Sequence, residues 1–163
     1  MEDLMGHFGI GIYRPKTSHN IGTLWRSAYI LGASYIFVVE GKYKKQASDV
    51  LHSWAQIPLY HYDSFKDFYD HLPYSCRLIG VELHKDAIPL QDYEHPSIGC
   101  YLLGAEDNGL PNAIIEKCHH VIQLHGSHSL NVASTGSIVL HDRVSKLDTP
   151  LPEIRKNRKK GRS

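Results

Sequence analysis

The 163-residue chain carries 18 Lys+Arg against 17 Asp+Glu, with 12 His and a hydrophobic share of 42%, the composition of an ordinary folded domain. At this size one core can form without disulfides, Cys76, Cys100 and Cys118 include no C-x-x-C pair, and no apolar run approaches the roughly 20 residues of a membrane helix. Disulfide scaffolds, disordered chains and membrane-spanning helices are thereby excluded, and the start Met1-Glu2-Asp3-Leu4-Met5-Gly6, unlike a signal peptide, leads us to expect a cytoplasmic protein with reduced thiols.

In chain order, residues 7 to 13 and 35 to 40 are short β-branched and aromatic runs that predict strands. Between them Ile21, Leu24, Trp25, Ala28 and Leu31 recur at helical spacing, with Asn20 as the expected N-cap and Gly32 as the stop. A strand at 57 to 61, a helix at 64 to 72 and a strand at 77 to 83 continue the alternation. Residues 84 to 98 lack periodicity and predict a long loop, a lid or a dimer contact. A strand at 99 to 104, a Pro111-started helix to Lys117, a strand at 120 to 124 and a helix from about Leu130 to Lys146 complete the series. Alternation of this kind predicts an α/β domain over residues 1 to 148, with a mostly parallel sheet and helices on both faces.

Residues 149 to 163 form a basic tail, because Arg155, Lys156, Arg158, Lys159, Lys160 and Arg162 hold six of the 18 cations. Residues 1 to 154 keep 12 cations against 17 anions. Such a tail is an electrostatic handle for phosphate backbones or, in the plainer reading, a solubilising segment.

Ligands of open parallel sheets sit beyond the carboxyl ends of the strands, which directs attention to three segments. The first runs from Tyr13 through Arg14, Lys16 and Asn20 to Arg26; the second is Leu103-Gly104-Ala105-Glu106-Asp107-Asn108-Gly109-Leu110-Pro111; the third is Ser129-Leu130-Asn131-Val132-Ala133-Ser134. Singly, each has a structural explanation, since glycines shape turns and Ser or Asn cap helices.

Together, in this order, the segments resemble the SpoU/TrmH family of SPOUT RNA 2′-O-methyltransferases, over nearly the whole chain. Asn20 through Arg26 is similar to its first motif, Leu103 through Pro111 to its second, and Ser129 through Ser134 to its third. The chain is similar in size to the minimal, TrmL-like members, which modify the tRNA wobble nucleotide. The resemblance implies a C-terminal trefoil knot, a homodimer, S-adenosyl-L-methionine as cofactor and RNA as substrate, tRNA ahead of rRNA. It implies catalytic roles for Arg26, Asn20, Glu106, Ser129 and Asn131. It implies cofactor contacts at Val81, Glu82, Leu83, Gly104, Ala105, Gly109, Ile122, Leu124, Ser129 and Leu130, with Ile122, Leu124 and Leu130 as apolar walls. RNA contacts are then expected from Arg14, Lys16, Arg155, Lys156, Arg158, Lys159 and Lys160. The helix after the third motif departs from the family pattern at Ala133-Ser134-Thr135-Gly136-Ser137 and at Leu140-His141-Asp142-Arg143.

Two rivals fail on detail. The Gly9-Ile10-Gly11 pair lies inside a strand and the third glycine of a dinucleotide fingerprint would fall at Arg14. Cys118, His119, His120, His125 and His128 match no zinc spacing, so no metal is expected. The remaining alternative is a non-catalytic RNA-binding SPOUT paralogue, against which stand all five candidate catalytic residues.

Overall fold

The computed structural model describes residues 7–44, 56–105, 108–148 and 151–152. The apolar runs form strands β1 (His7–Tyr13), β2 (Tyr35–Val39), β3 (Leu59–Tyr62), β4 (Arg77–Val81), β5 (Ile88–Pro89), β6 (Ile98–Gly104) and β7 (His120–Gln123). They make one seven-stranded sheet in the order β3-β2-β1-β6-β4-β7-β5, with every neighbouring pair parallel. The helices are α1 (Ser18–Ile30), α2 (Phe65–His71), α3 (Asn112–Ile115) and α4 (Val132–Lys146).

Strand side chains alternate between two cores, as the period of two requires. Ile10, Ile12, Ile36, Val38, Ile79, Tyr101 and Leu103 face one core with Leu24 and Ala28 of α1 and Val139 and Leu140 of α4. Phe37, Val39, Leu78, Cys100 and Leu102 face the other with Phe68 of α2 and Ile114 of α3. Both faces are thus covered, which is why the central strands read as continuous apolar runs.

Helix α1 begins earlier than the Asn20 cap expected from the sequence. Thr17, in extended conformation, accepts the Asn20 N–H at 3.2 Å, so Thr17 is the N-cap and Asn20 closes the first turn. A threonine hydroxyl does the same capping chemistry, and this releases the Asn20 side chain for a tertiary bond. Gly32 follows the C-terminus at φ 85°, the left-handed stop that the sequence predicts. Helix α4 starts at Val132, capped by Asn131, whose side-chain oxygen accepts from the nitrogens of Ala133 at 2.9 Å and Ser134 at 3.2 Å.

The expectation of a loop over 84 to 98 is corrected. The segment contains β5, which extends the sheet beside β7, and a short 3-10 turn at Leu90–Asp92. It is fastened to α4 by a polar chain. Arg143, fully buried, donates from Nη1 to the Pro96 carbonyl at 2.6 Å and the Tyr101 hydroxyl at 3.1 Å, and from Nη2 to Ser97 O at 3.0 Å. Its guanidinium lies 4.3 Å from the Phe8 ring centroid. His95 sits between Tyr101 (Nδ1 to hydroxyl, 2.6 Å) and Asp142 (Nε2 to Oδ2, 2.7 Å). Lys146 reaches Asp142 at 2.9 Å and donates to the carbonyls of Leu90 and Tyr93. The residues that depart from the family pattern at Asp142 and Arg143 are those that hold this segment.

Candidate active site

Beyond the carboxyl ends of β4, β6 and β7 lies a cleft of about 310 Å³. Its floor is Val81, Leu103 and Val132, and its walls include Glu82, Leu83, Gly104, Ala105, Gly109, Leu124, Ser129 and Leu130. This volume is at the lower end of small-molecule sites, about 300–1,000 Å³. Leu83 and Leu130 stand at its edge 45% and 51% exposed, large apolar side chains without a cover.

The wall from β6 is a tight reversal. Ala105 and Gly109 form an antiparallel bridge, with the Gly109 N–H donating to Ala105 O at 3.0 Å. Gly109 has φ +58°, and a Cβ there would run into the Glu82 carboxylate. A side chain on Gly104 would come within 2.6 Å of the Leu110 nitrogen. Glu82 fastens the reversal to the end of β4, because its Oε2 accepts the Leu110 N–H at 2.7 Å and its Oε1 the Leu83 N–H at 3.1 Å. The glycines therefore serve both the turn and the close approach of backbone to the cleft.

The first and third motifs meet beside it. Asn131 donates from Nδ2 to Asn20 Oδ1 at 3.1 Å while its own oxygen caps α4, so one side chain joins the starts of two helices. Lower down, Ser137 of α4 donates to Ser27 of α1 at 2.8 Å. Arg26 lies on the exposed side of α1 and takes no hydrogen bond or ion pair among the described residues.

Arg14 follows β1 in a left-handed conformation, φ 50°, and Glu40 follows β2 in another, φ 55°. Two non-glycine residues at positive φ are uncommon, and here the pair is joined, Arg14 Nε to Glu40 Oε2 at 3.2 Å. A hydrogen bond from the Tyr13 hydroxyl, with help from Arg14, holds the Glu40 carboxyl below its usual value. Burial, then Glu40, pushes the Tyr13 phenol up. Arg14 and Lys16 are both exposed.

Of the expected cofactor residues, Ile122 is corrected. It is fully buried, lies outside the lining and contributes its carbonyl, which accepts the Glu82 N–H at 3.0 Å, so it is no apolar wall. Its side chain turns into the core, while Gln123, the last residue of β7, and Leu124, just past the strand, line the cleft. Glu106 and the tail residues Arg155, Lys156, Arg158, Lys159 and Lys160 lie outside the described residues. Sequence reasoning missed Asn108, Gln123, His125, His128 and Thr135, which also line the cleft. The polar run at Ser134 and Thr135 was the available signal. Among the described residues no group of three or more His, Cys, Asp or Glu could hold a metal ion, and no helix is long and apolar enough to cross a membrane.

Residues 7–141 match the SpoU rRNA Methylase family. The chain belongs to that family. The tRNA (cytidine/uridine-2′-O-)-methyltransferase TrmJ of Sodalis glossinidius is 28% identical over 159 residues, 86% of this chain and 62% of the relative. The tRNA (cytidine(34)-2′-O)-methyltransferase of Ancylobacter novellus is 28% identical over 142 residues, 80% of this chain and 87% of the relative. The chain thus spans less than two thirds of the TrmJ relative and most of the second. Among solved structures, the SpoU methyltransferase AviRb of Streptomyces viridochromogenes in complex with AdoMet superposes with a TM-score of 0.76 at 25% identity, covering 87% of this chain and 58% of that one.

Proposed function

We propose that this SpoU protein is an S-adenosylmethionine-dependent RNA ribose 2′-O-methyltransferase that acts on tRNA in the cytoplasm as a homodimer, its C-terminal part threaded as a trefoil knot. The observation that carries the reading is that the second and third motif segments line one cleft while the first is tied to the third beside it, Asn131 Nδ2 donating to Asn20 Oδ1. The names of the curated relatives support transfer to a tRNA ribose, and the AdoMet complex of AviRb supports the cofactor.

The cleft suits S-adenosylmethionine. An apolar floor at Val81, Leu103 and Val132 accepts a flat ring, and the glycine-bearing reversal and the 123–130 loop bring backbone groups to its rim. Among the described residues no lysine or arginine lines it, so a cationic ligand meets no like charge from them. When bound, the cofactor supplies an electrophilic methyl group on a sulfonium. The chain's own residues then position the acceptor. Arg26, a guanidinium with five donors and no acceptor, is a poor proton acceptor; it binds the neighbouring phosphate and steadies the developing alkoxide. Ser129 positions the ribose, and Asn20 and Asn131 hold the loop. Ile30 of α1 and Ile138 of α4, 45% and 42% exposed on two helices packed together, give a dimer an apolar face through which Arg26 reaches the partner's cleft.

The test is calorimetric titration of the full chain with S-adenosylmethionine and, separately, NADH. Binding of the first alone is expected, and binding of NADH or of neither overturns the reading. Arg26→Ala is expected to lower methyl transfer by about 10²-fold or more while cofactor affinity holds; unchanged transfer removes Arg26 from the mechanism.

A further inference from the structure

A second cleft, of about 280 Å³, opens at the opposite end of the sheet. His7, Tyr35 and Ile98, the first residues of β1, β2 and β6, border it, with Cys76 just before β4. The two ends of β6 lie roughly 20 Å apart at about 3.3 Å per strand residue, so this cleft is separate from the first. Its floor is aromatic. A Cβ on Gly9 would run into the Tyr35 ring, and one on Gly11 would lie 2.5 Å from the Phe37 ring, so the Gly9-Ile10-Gly11 pair lets both rings lie down over β1. Phe68 stacks on Phe37 with centroids 4.5 Å apart and planes 9° apart, and Tyr60 is tilted against Tyr35 at 6.0 Å. Tyr60, 48% exposed, forms part of the open side.

The rim is polar. Tyr60 and Tyr62 carry hydroxyls, and Ser34, His7 and His71 add hydrogen-bonding groups. His71 Nδ1 is engaged by the Asp67 carbonyl and carboxylate at 2.7 and 3.2 Å, which fixes the ring and leaves Nε2 for a ligand. Among the described residues no carboxylate lines the cleft itself.

We infer that this cleft is a stacking site for one unpaired nucleobase of bound RNA. The exposed Tyr60 ring takes any base by its π-face, and a rim of hydroxyls and imidazoles can pair with a heterocycle's edge, which a hydrocarbon ring of a protein partner would leave unused. That the base belongs to RNA rests on the methyltransferase reading; the stacking site itself does not.

The probe is adenosine 5′-monophosphate, titrated into the full chain by ligand-observed NMR with and without saturating S-adenosylhomocysteine. Binding is expected to survive S-adenosylhomocysteine and to weaken about tenfold in Tyr60→Ala, with S-adenosylhomocysteine affinity unchanged. His7→Ala is expected to act in the same direction. Displacement of the nucleotide by S-adenosylhomocysteine, or equal binding by both variants, overturns the site. In methyl-transfer assays Tyr60→Ala should raise KM for RNA severalfold at constant kcat, and an unchanged KM removes RNA as the occupant. Failure of S-adenosylhomocysteine to bind counts against the methyltransferase reading and leaves the nucleotide titration to decide the stacking site.

Discussion

Asn131 carries two jobs on one amide, and its two ends can be separated by substitution. Its oxygen caps α4 and its nitrogen donates to Asn20. Asn131→Asp keeps the cap acceptors and loses the donor, whereas Asn131→Ala loses both. We expect Asn131→Ala to cost about 1 kcal/mol from the cap alone, a drop of roughly 2–4 °C in Tm for a domain of this size, and Asn131→Asp to cost less. Thermal melts of the two variants check this, and equal losses would place the effect in the Asn20 bond. Gly109 is a second residue with a defined penalty. Alanine at φ +58° is strained by about 1 kcal/mol, and its Cβ also pushes on the carboxylate that holds the Leu110 N–H. Gly109→Ala is therefore expected to weaken S-adenosylmethionine binding more than it lowers Tm, as calorimetry beside a melt will show. At this scale the motifs were legible only in combination, because glycine, asparagine and serine at strand ends singly serve turns and caps, and it is their order along the chain that resembles the family. Glu82's role as the clamp of the reversal was not legible, since nothing in a sequence tells which carboxylate will meet an amide 28 positions away.

The polar chain between α4 and residues 90–97 is the element-scale feature with a pH consequence. Arg143 donates to the Tyr101 hydroxyl, which leaves the phenol proton for His95 Nδ1, and His95 then donates from Nε2 to Asp142. Each donor has its acceptor only while His95 is neutral. Burial lowers the His95 pKa from 6.5, with Arg143 and Lys146 acting in the same direction and Asp142 against it. The unfolded chain thus binds the extra proton at a higher pH than the folded one. Stability contributed here is present above about pH 6.5 and is lost as pH falls below the unfolded value toward the folded one. We expect Tm to fall between pH 7.5 and 5.5, and His95→Gln, which cannot titrate, to flatten that dependence. An unchanged pH profile in His95→Gln would assign the loss to other groups. The strands and α1 were readable because their periodicity repeats over many residues. The 84–98 segment was not, because its structure comes from contacts with α4 some 46 residues distant, made by an arginine whose full burial no local pattern announces. Likewise the polar face of α4 reads as a departure from the family until Ser137 is seen against Ser27.

For the molecule as a whole, charge is divided between a body with 12 cations and 17 anions over residues 1 to 154 and a tail with six cations. Arg14, one of the body's expected phosphate contacts, is paired with Glu40, so its charge is partly answered before any RNA arrives. A net-negative body repels a polyanion at long range, and the short-range gain at the cleft must be reached against that repulsion. The tail is then the main source of attraction at a distance. Cations that neutralise phosphates release condensed counterions, and each contributes about 0.7–0.9 to the slope of log K against log salt. If all six tail cations contact phosphate, ending the chain after Glu153 should make that slope shallower by about 4–5. RNA affinity at low salt should fall steeply while S-adenosylmethionine affinity stays constant, because the described lining of the cleft comes from residues 81 to 135 at the sheet's carboxyl end. Filter binding of full-length and shortened protein across a salt series measures both quantities. Parallel slopes would mean that the tail only solubilises the chain and that RNA is gripped by the body, with Arg14 freed from Glu40 on binding. In that case Glu40→Gln, which removes the competing carboxylate, should tighten RNA binding, whereas with a tail-driven grip it should have little effect.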